Sequence, residues 1–540
     1  MKPAEARLKE ALALVYGQAG ERLAEALVPG LRAFARAHPE RGGPLDRLDL
    51  FAGEAMLISY PDQVTAPGAP ALAVLRRFLA ERADFFADLH LLPHYPYSSD
   101  DGFAVLDYYA VREGLGGWDE VARLARERRL MLDAVINHLS SKSVWFQRFL
   151  AGEPPFDRFF LTDPGGDTSR VVRPRTTPLF TEFAGRRVWT TFGPDQVDLD
   201  YRNPEVFRAL LQVLLFYVEK GAEFLRLDAV GFLWKAPGRR CLNEPETHAL
   251  VRAFRAALDL AAPRVKLVSE TNVPHAENVA YFGDGTDEAQ LVYNFALPPL
   301  VLHAYAREDA RVLVDWAAGL KVPGPRTAFL NFLASHDGIG LRPVEGILPE
   351  HEVAFLVARS RAHGGEVGER AGPRGPLPYE LNLTWWDALN PPGEDEAVGL
   401  RRHLGSHLVM LALEGLPAVY FHSLLGTPSW REGYRESGIK RRLNRQKFTW
   451  GELEAALAQP GHRFARVLAG MRELFTRVRP HPKAPARLLA APPAVFAAER
   501  DGYRVYVNFG REPVALSEKG PPCFGQGPEL PAYGFGVWRG

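Results

Sequence analysis

A chain of 540 residues that is 46% hydrophobic is too long for one ordinary domain and can bury large cores. Its 65 basic and 65 acidic residues cancel to a formal net charge of +0, which argues against nucleic acid or acidic membranes as partners. The two cysteines, Cys241 and Cys523, have no metal-site spacing, argue against a disulfide framework and suit a reducing cytoplasm.

The N-terminus, Met1-Lys-Pro-Ala-Glu-Ala-Arg, leads into a charged helix rather than an apolar leader, so no signal peptide is expected. No apolar run approaches the roughly 20 residues of a membrane span. Residues 1–50 read as a helical extension. Leu8, Leu12 and Val15 mark one apolar face, and Leu23, Leu27 and Leu31 a second. A strand-like run begins at Glu54–Tyr60. Others recur at Phe86–Leu92, Leu130–Ile136, Glu223–Leu227, Val265–Val268, Leu291–Asn294, Thr327–Leu333 and Pro417–Phe421. Helical segments such as Pro204–Glu219 and Ala397–Leu413 alternate with most of them. The pattern predicts an α/β fold, a (β/α)8 TIM barrel built from residues 51–138 and 202–478. The N-terminal helices are expected to pack on the barrel exterior. Residues 139–201, rich in Pro, Gly, Arg and Phe, are too many for a simple connection after the third strand. They are expected to form an inserted lid subdomain. From Arg479 the helical pattern ends. Residues 479–540 read as a small C-terminal β-domain with tight turns such as Asp501-Gly502.

Three acidic residues each succeed an apolar run. They are Asp228 in Arg226-Leu-Asp-Ala-Val230, Glu270 in Ser269-Glu-Thr271, and Asp337 in Ser335-His-Asp-Gly338. Acids at the carboxyl ends of several strands are how such a barrel assembles an active site. A pair of carboxylates across a glycosidic bond is the machinery of retaining sugar-cleaving enzymes. With Asp133-Ala-Val-Ile-Asn-His138 and Gln196-Val-Asp-Leu-Asp200, these motifs resemble, in order, glycoside hydrolase family 13, the α-amylase family. The resemblance covers about residues 54–540.

The resemblance implies that Asp228 is the nucleophile, Glu270 the general acid and base, and Asp337 the transition-state stabiliser. Arg226 lies two residues before Asp228 on the same strand face and is expected to lower its pKa. His138 and His336 are expected to hydrogen-bond the sugar. Asn137, a calcium ligand in many amylases, is expected to be structural here. Neither a metal nor an organic cofactor is expected; inorganic phosphate would be a co-substrate.

The segment Tyr97-Ser-Ser-Asp-Asp-Gly-Phe103 is similar to one in the sucrose phosphorylase subgroup, where its first Asp caps the glucose 4-hydroxyl end. That places the role on Asp100. Its partner would be Arg445, in Leu443-Asn-Arg-Gln446, where Gln446 replaces the subgroup's His. In Arg173-Pro-Arg175, Arg175 would hold inorganic phosphate, with Arg173 as a neighbour. A fixed guanidinium raises phosphate occupancy over water. Phe192 would form an apolar wall beside Gln196. After Asp337, Leu341-Arg-Pro-Val-Glu-Gly-Ile347 resembles the branch of the subgroup that acts on glucosylglycerate. Arg342 would face either the glycerate carboxylate or phosphate, with Glu345 as an alternative ion-pair partner. Gly338 and Gly340 would allow a tight, mobile loop. The expected reaction is reversible phosphorolysis of 2-O-α-glucosylglycerate to α-glucose 1-phosphate and glycerate. The rivals are phosphorylases of sucrose, sucrose 6-phosphate or glucosylglycerol, a phosphate-independent α-glucosidase or transglucosidase, and a silent sugar-binding relative. Oligomeric state has no signal in the sequence.

Overall fold

The computed structural model describes residues 2–43 and 46–540. Eight strands form its centre: β1 (Met56–Ser59), β2 (Asp88–Leu91), β3 (Arg129–Ala134), β4 (Ala222–Leu227), β5 (Lys266–Ser269), β6 (Leu291–Tyr293), β7 (Ala328–Phe332) and β8 (Leu416–Tyr420). Each pairs in parallel with its sequence neighbours, and β8 closes on β1. The expected barrel is therefore the one found. Its strands read as continuous apolar runs because both faces are covered, and every residue of β1, β2 and β5 to β8 is buried.

Two helices precede the barrel, α1 (Ala4–Tyr16) and α2 (Gln18–Ala37). The chain turns between them at Gly17, whose φ of 58° a side chain would resist. A Cβ on Gly20 would lie 2.0 Å from the Leu12 carbonyl oxygen, so glycine is what lets the two helices meet. After the barrel helix α3 (Pro204–Glu219) comes α4 (Pro245–Ala261), the platform for α1. Leu8 and Leu12 are fully buried there, and Arg7 pairs with Asp259 of α4 at 2.6 Å. The Tyr16 hydroxyl donates to the Tyr201 carbonyl at 2.8 Å, tying this hairpin to the point where the inserted segment returns to the barrel.

The inserted segment holds a short helix, Val144–Leu150, and two antiparallel pairs. One pair, His138–Ser140 with Gln196–Asp198, joins the segment to the end of β3. The C-terminal domain is a five-stranded antiparallel sheet spanning Ala486–Leu488 to Phe535–Arg539. Its Asp501-Gly502 turn has φ of 49° and 77°, the twin left-handed values of a tight two-residue hairpin. No helix among the described residues is long and apolar enough to cross a membrane.

The segment after Asp337 departs from expectation. It is paired into a small sheet rather than left as a free loop. Ile339–Gly340 pairs antiparallel with Leu377–Asn382, which pairs with Glu366–Arg370 across the barrel mouth. Neither Gly338 nor Gly340 has a positive φ. They are glycines because of close approach: a Cβ at Gly338 would lie 2.8 Å from the Leu381 carbonyl oxygen, and one at Gly340 2.6 Å from Asn272 Oδ1.

Candidate active site

A cavity opens at the carboxyl ends of the barrel strands. Asp228 follows β4, Glu270 follows β5 and Asp337 lies just beyond β7, and all three line it. Asp100, His138, Arg175, Phe192, Gln196 and His336 line it too. Arg226 and Arg445 stand one layer behind, almost fully buried.

Arg226 Nη1 donates to Asp133 Oδ1 at 2.6 Å and to Asp228 Oδ1 at 2.9 Å; its Nη2 is 3.8 Å from Glu270. Glu270 Oε2 accepts the Ala229 N–H at 2.8 Å. Ala229 holds φ at 48°, a left-handed strain directly after Asp228 that brings its N–H to Glu270. The Arg226 charge does act to lower the Asp228 pKa, as expected, but it does not set the net direction. Burial raises Asp228 well above the usual carboxylate value, and Glu270, Asp133 and Asp337 add to that, outweighing Arg226. Burial is the largest cause, and Arg226 also serves Asp133. Asp133 itself is held down to about 2, because His90 and Arg226 overcome its burial. Burial likewise raises Glu270. Asp228 and Glu270 therefore titrate as a pair. Arg226 lies nearer Asp228, at 2.9 Å, than Glu270, at 3.8 Å, so its charge acts more strongly on Asp228.

Burial works to raise Asp337 as well, yet Arg441, Arg445, Arg226 and Arg175 hold it below its ordinary value. Burial lowers His138, and burial with Arg226 and Arg445 takes His336 well below the imidazole range, so both are neutral. His336 stacks on Phe103 at 4.8 Å, and its Nδ1 is buried without a hydrogen-bond partner among the described residues. His138 Nε2 is 2.9 Å from the Phe103 carbonyl and 3.2 Å from Gln196 Nε2, and its ring packs on Phe192.

The Asn-Arg pair clamps the segment carrying Asp337. Asn444 Nδ2 donates to the Ser335 and Asp337 carbonyls, and Arg445 Nε to the His336 carbonyl at 2.8 Å. Arg445 Nη1 reaches Asp100 at 3.3 Å but binds Asp101 more closely, at 2.9 Å. Asp100 and Asp101 have φ of 51° and 50°, so two adjacent side chains are held in strained backbone at this end of the cavity.

The sequence reading turned Arg342 toward glycerate or phosphate. Arg342 does not line the cavity. It is buried in the short turn Arg342–Val344, 3.6 Å from Glu345, where its charge is felt by Tyr379. Tyr379, Glu380 and Arg441 line the cavity as well, with Arg175 beside Tyr379. Sequence reasoning passed over Tyr379, Glu380 and Arg441. Arg441 Nε and Nη2 donate to both Glu380 oxygens at 2.9 and 3.0 Å, and its Nη1 is 2.7 Å from Asp337 Oδ1. The available signal was the basic run Lys440-Arg-Arg442 just before Asn444-Arg445. Glu380 and Tyr379 lie in a hairpin that carries no motif. Arg175 rests between Phe192 and Tyr379, 5.7 and 5.4 Å from their ring centres. Arg173 does not line the cavity.

Beneath the lid, Lys235 Nζ sits 2.8 Å from Asn137 Oδ1 and 2.9 Å from Asp198 Oδ2, with all three side chains buried. An ammonium group thus bridges the end of β3 to the returning strand of the inserted segment.

Residues 86–322 match the family profile described as the α-amylase catalytic domain. The chain is 49% identical over 483 residues to the glucosylglycerate phosphorylase of Allomeiothermus silvanus, covering 86% of this chain and 87% of that one. It is 42% identical over 514 residues to the glucosylglycerate phosphorylase of Spirochaeta thermophila, covering 93% and 87%. Among solved structures, sucrose 6F-phosphate phosphorylase from Thermoanaerobacter thermosaccharolyticum superposes with a TM-score of 0.74 at 24% identity, over 85% of this chain and 94% of that one; it attests the fold. The chain belongs to the α-amylase family. Within that family its 42–49% identical relatives are glycoside phosphorylases, enzymes that hand a glucosyl group to phosphate.

Proposed function

We propose that this chain is a retaining glycoside phosphorylase converting 2-O-α-glucosylglycerate and phosphate into α-glucose 1-phosphate and glycerate. The similarity to glucosylglycerate phosphorylases carries the substrate, and the Asp228–Glu270–Asp337 constellation beside Arg175 carries the chemistry. The Asp228 carboxylate attacks the anomeric carbon while Glu270 gives its proton to the departing glycerate oxygen. The glycosidic C–O bond breaks and a glucosyl ester to Asp228 forms. A phosphate oxygen then attacks the same carbon, the ester bond breaks, and the Glu270 carboxylate takes up the proton of the incoming acid. Configuration is retained because two inversions occur.

Asp337, His138 and His336 hold the sugar hydroxyls. Asp100, kept in place by Arg445, caps the 4-hydroxyl end and limits the donor to one glucosyl unit. Phe192 and Gln196 close the lid side. Arg175 holds phosphate in place of water. Phosphate is a co-substrate, and the reading requires no other cofactor. Two free cysteines support a cytoplasmic setting.

The test uses purified protein with glucosylglycerate, with and without phosphate. The expected product is α-glucose 1-phosphate in phosphate and slow release of glucose without it. Asp228→Asn should lower turnover by on the order of 10^4 while leaving the melting temperature nearly unchanged. A product that does not respond to phosphate would show a hydrolase or transglucosidase instead. Better turnover of sucrose, sucrose 6-phosphate or glucosylglycerol would move the enzyme to one of those activities.

A further inference from the structure

Four arginines surround the reacting end of the cavity, and their hydrogen bonds separate one from the rest. Arg226 is committed to Asp133 and Asp228. Arg445 is committed to Asp100, Asp101 and the His336 carbonyl, with no exposed side-chain surface. Arg441 has all three guanidinium nitrogens on Glu380 and Asp337. Arg175 differs. Among the described residues its one hydrogen bond is Nη1 to the Pro174 carbonyl at 3.0 Å, and its side chain lines the cavity. Phe192 and Tyr379 flank it by ring contact, which orients a guanidinium without using its in-plane donors. Its charge reaches both Asp337 and Glu380, so it lies toward the reacting centre.

Building on the phosphorylase reading, we infer that Arg175 is a single anion subsite used twice: it takes phosphate in one half-reaction and the glycerate carboxylate in the other. The two nucleophiles attack the same anomeric carbon from the same side, at different times. Each must bring one oxygen to that carbon and leave a negative group within reach of a cation with free donors. Arg342 is buried and is not among the side chains that line the cavity. Arg441 and Arg445 would have to break ion pairs with Asp337, Glu380 or Asp101. Carboxylate and phosphate both accept paired N–H donors from one planar guanidinium, so Arg175 suits either. Arg175 is then the residue that selects an anionic acceptor over a neutral one. In each transfer the bond from the anomeric carbon to Asp228 breaks, the new bond to the acceptor oxygen forms, and the acceptor proton passes to Glu270.

Partition of one covalent intermediate tests this. α-Glucosyl fluoride, whose leaving group needs no phosphate site, loads Asp228. An equimolar mixture of D-glycerate, glycerol and phosphate then competes for the glucosyl group, and product ratios are read directly. The ratios are internal to active enzyme, so partial misfolding of a variant does not distort them. Wild-type enzyme is expected to favour glycerate and phosphate over glycerol. Arg175→Ala should lower both the glycerate-to-glycerol and the phosphate-to-glycerol ratios by tenfold or more. Arg175→Lys should restore part of both, and Arg342→Ala should leave both within about threefold of wild type. A loss confined to phosphate in Arg175→Ala, or a loss of the glycerate ratio in Arg342→Ala alone, overturns the shared subsite while the phosphorylase reading stands. Wild-type preference for glycerol over glycerate overturns the proposed substrate and the shared subsite together.

Discussion

Arg226 serves two carboxylates at once, and the division sets the working pH of the centre. Asp133 takes the shorter contact, 2.6 Å against 2.9 Å for Asp228. Asp228 and Glu270 are both raised by burial, so the active form, with one proton on the pair, spans pH values above the ordinary carboxylate range. Its acid limb is protonation of Asp228. Asp133→Asn removes a repelling charge and leaves Arg226 to Asp228. Both effects favour the ionised nucleophile, so the acid limb of the kcat/KM profile should move to lower pH. The maximum rate should fall, because Arg226 loses a fixed anchor. A pH–rate series on both proteins checks this, and an unmoved acid limb would show that Asp133 does not govern Asp228.

At the scale of elements, the mouth sheet after β7 is the part that fixes the open side. Leu377–Asn382 delivers Glu380 to Arg441, and the absence of a side chain at Gly338 makes that possible. A Cβ there would meet the Leu381 carbonyl oxygen at 2.8 Å and Glu380 Cγ at 2.9 Å, and backbone cannot yield as a side-chain tip can. Gly338→Ala should therefore push the strand outward, loosen Arg441 from Asp337 and cut kcat/KM tenfold or more. The melting temperature should fall only slightly, because the barrel is untouched. Thermal unfolding beside steady-state rates would reveal the opposite pattern if the glycine served folding alone.

The same element shows what the sequence could and could not tell. The barrel strands were legible because parallel, doubly covered strands are written as apolar runs, and the acids at their ends stand out against them. Asp228, Glu270 and Asp337 each occupy such an end, and all three line the cavity. Leu377–Asn382 has two exposed residues and then four buried ones, with polar Glu380 and Asn382 among them. No periodicity marks it, and its second partner is only the two-residue strand Ile339–Gly340. Arg342 misled for a related reason. Sequence proximity to Asp337 suggested the cavity, but Arg342 is buried in a short turn and is absent from the cavity lining.

For the whole molecule, the buried histidines decide acid tolerance. Burial takes His94 and His407 down to about 4 and His422 to about 3. In the unfolded chain such groups titrate near 6.5. The unfolded state therefore binds protons that the native state refuses, and stability falls as pH drops from about 6.5 toward about 4. Each unit of difference is worth about 1.4 kcal/mol, so together these sites remove several kcal/mol over that window. The depressed acids act lower. Asp62 and Asp133, both near 2, contribute stability that is complete above about 4 and is lost only below it. Calorimetry from pH 7.5 to 4.5 should show a steady decline in melting temperature beginning near pH 6.5. A flat response down to pH 4.5 would contradict this account.

Lys235 has a consequence for the company this enzyme can keep. Its ammonium holds Asn137 to Asp198 at the root of the lid, and it is part of the chain. A dissociable divalent ion at such a joint would be contested by every chelator and phosphate ion in the surroundings, and calcium in particular forms sparingly soluble phosphates. A tethered cation has no off-rate. Saturating phosphate can flood the active site without loosening this joint, so the concentration that drives the reaction does not erode the scaffold that performs it.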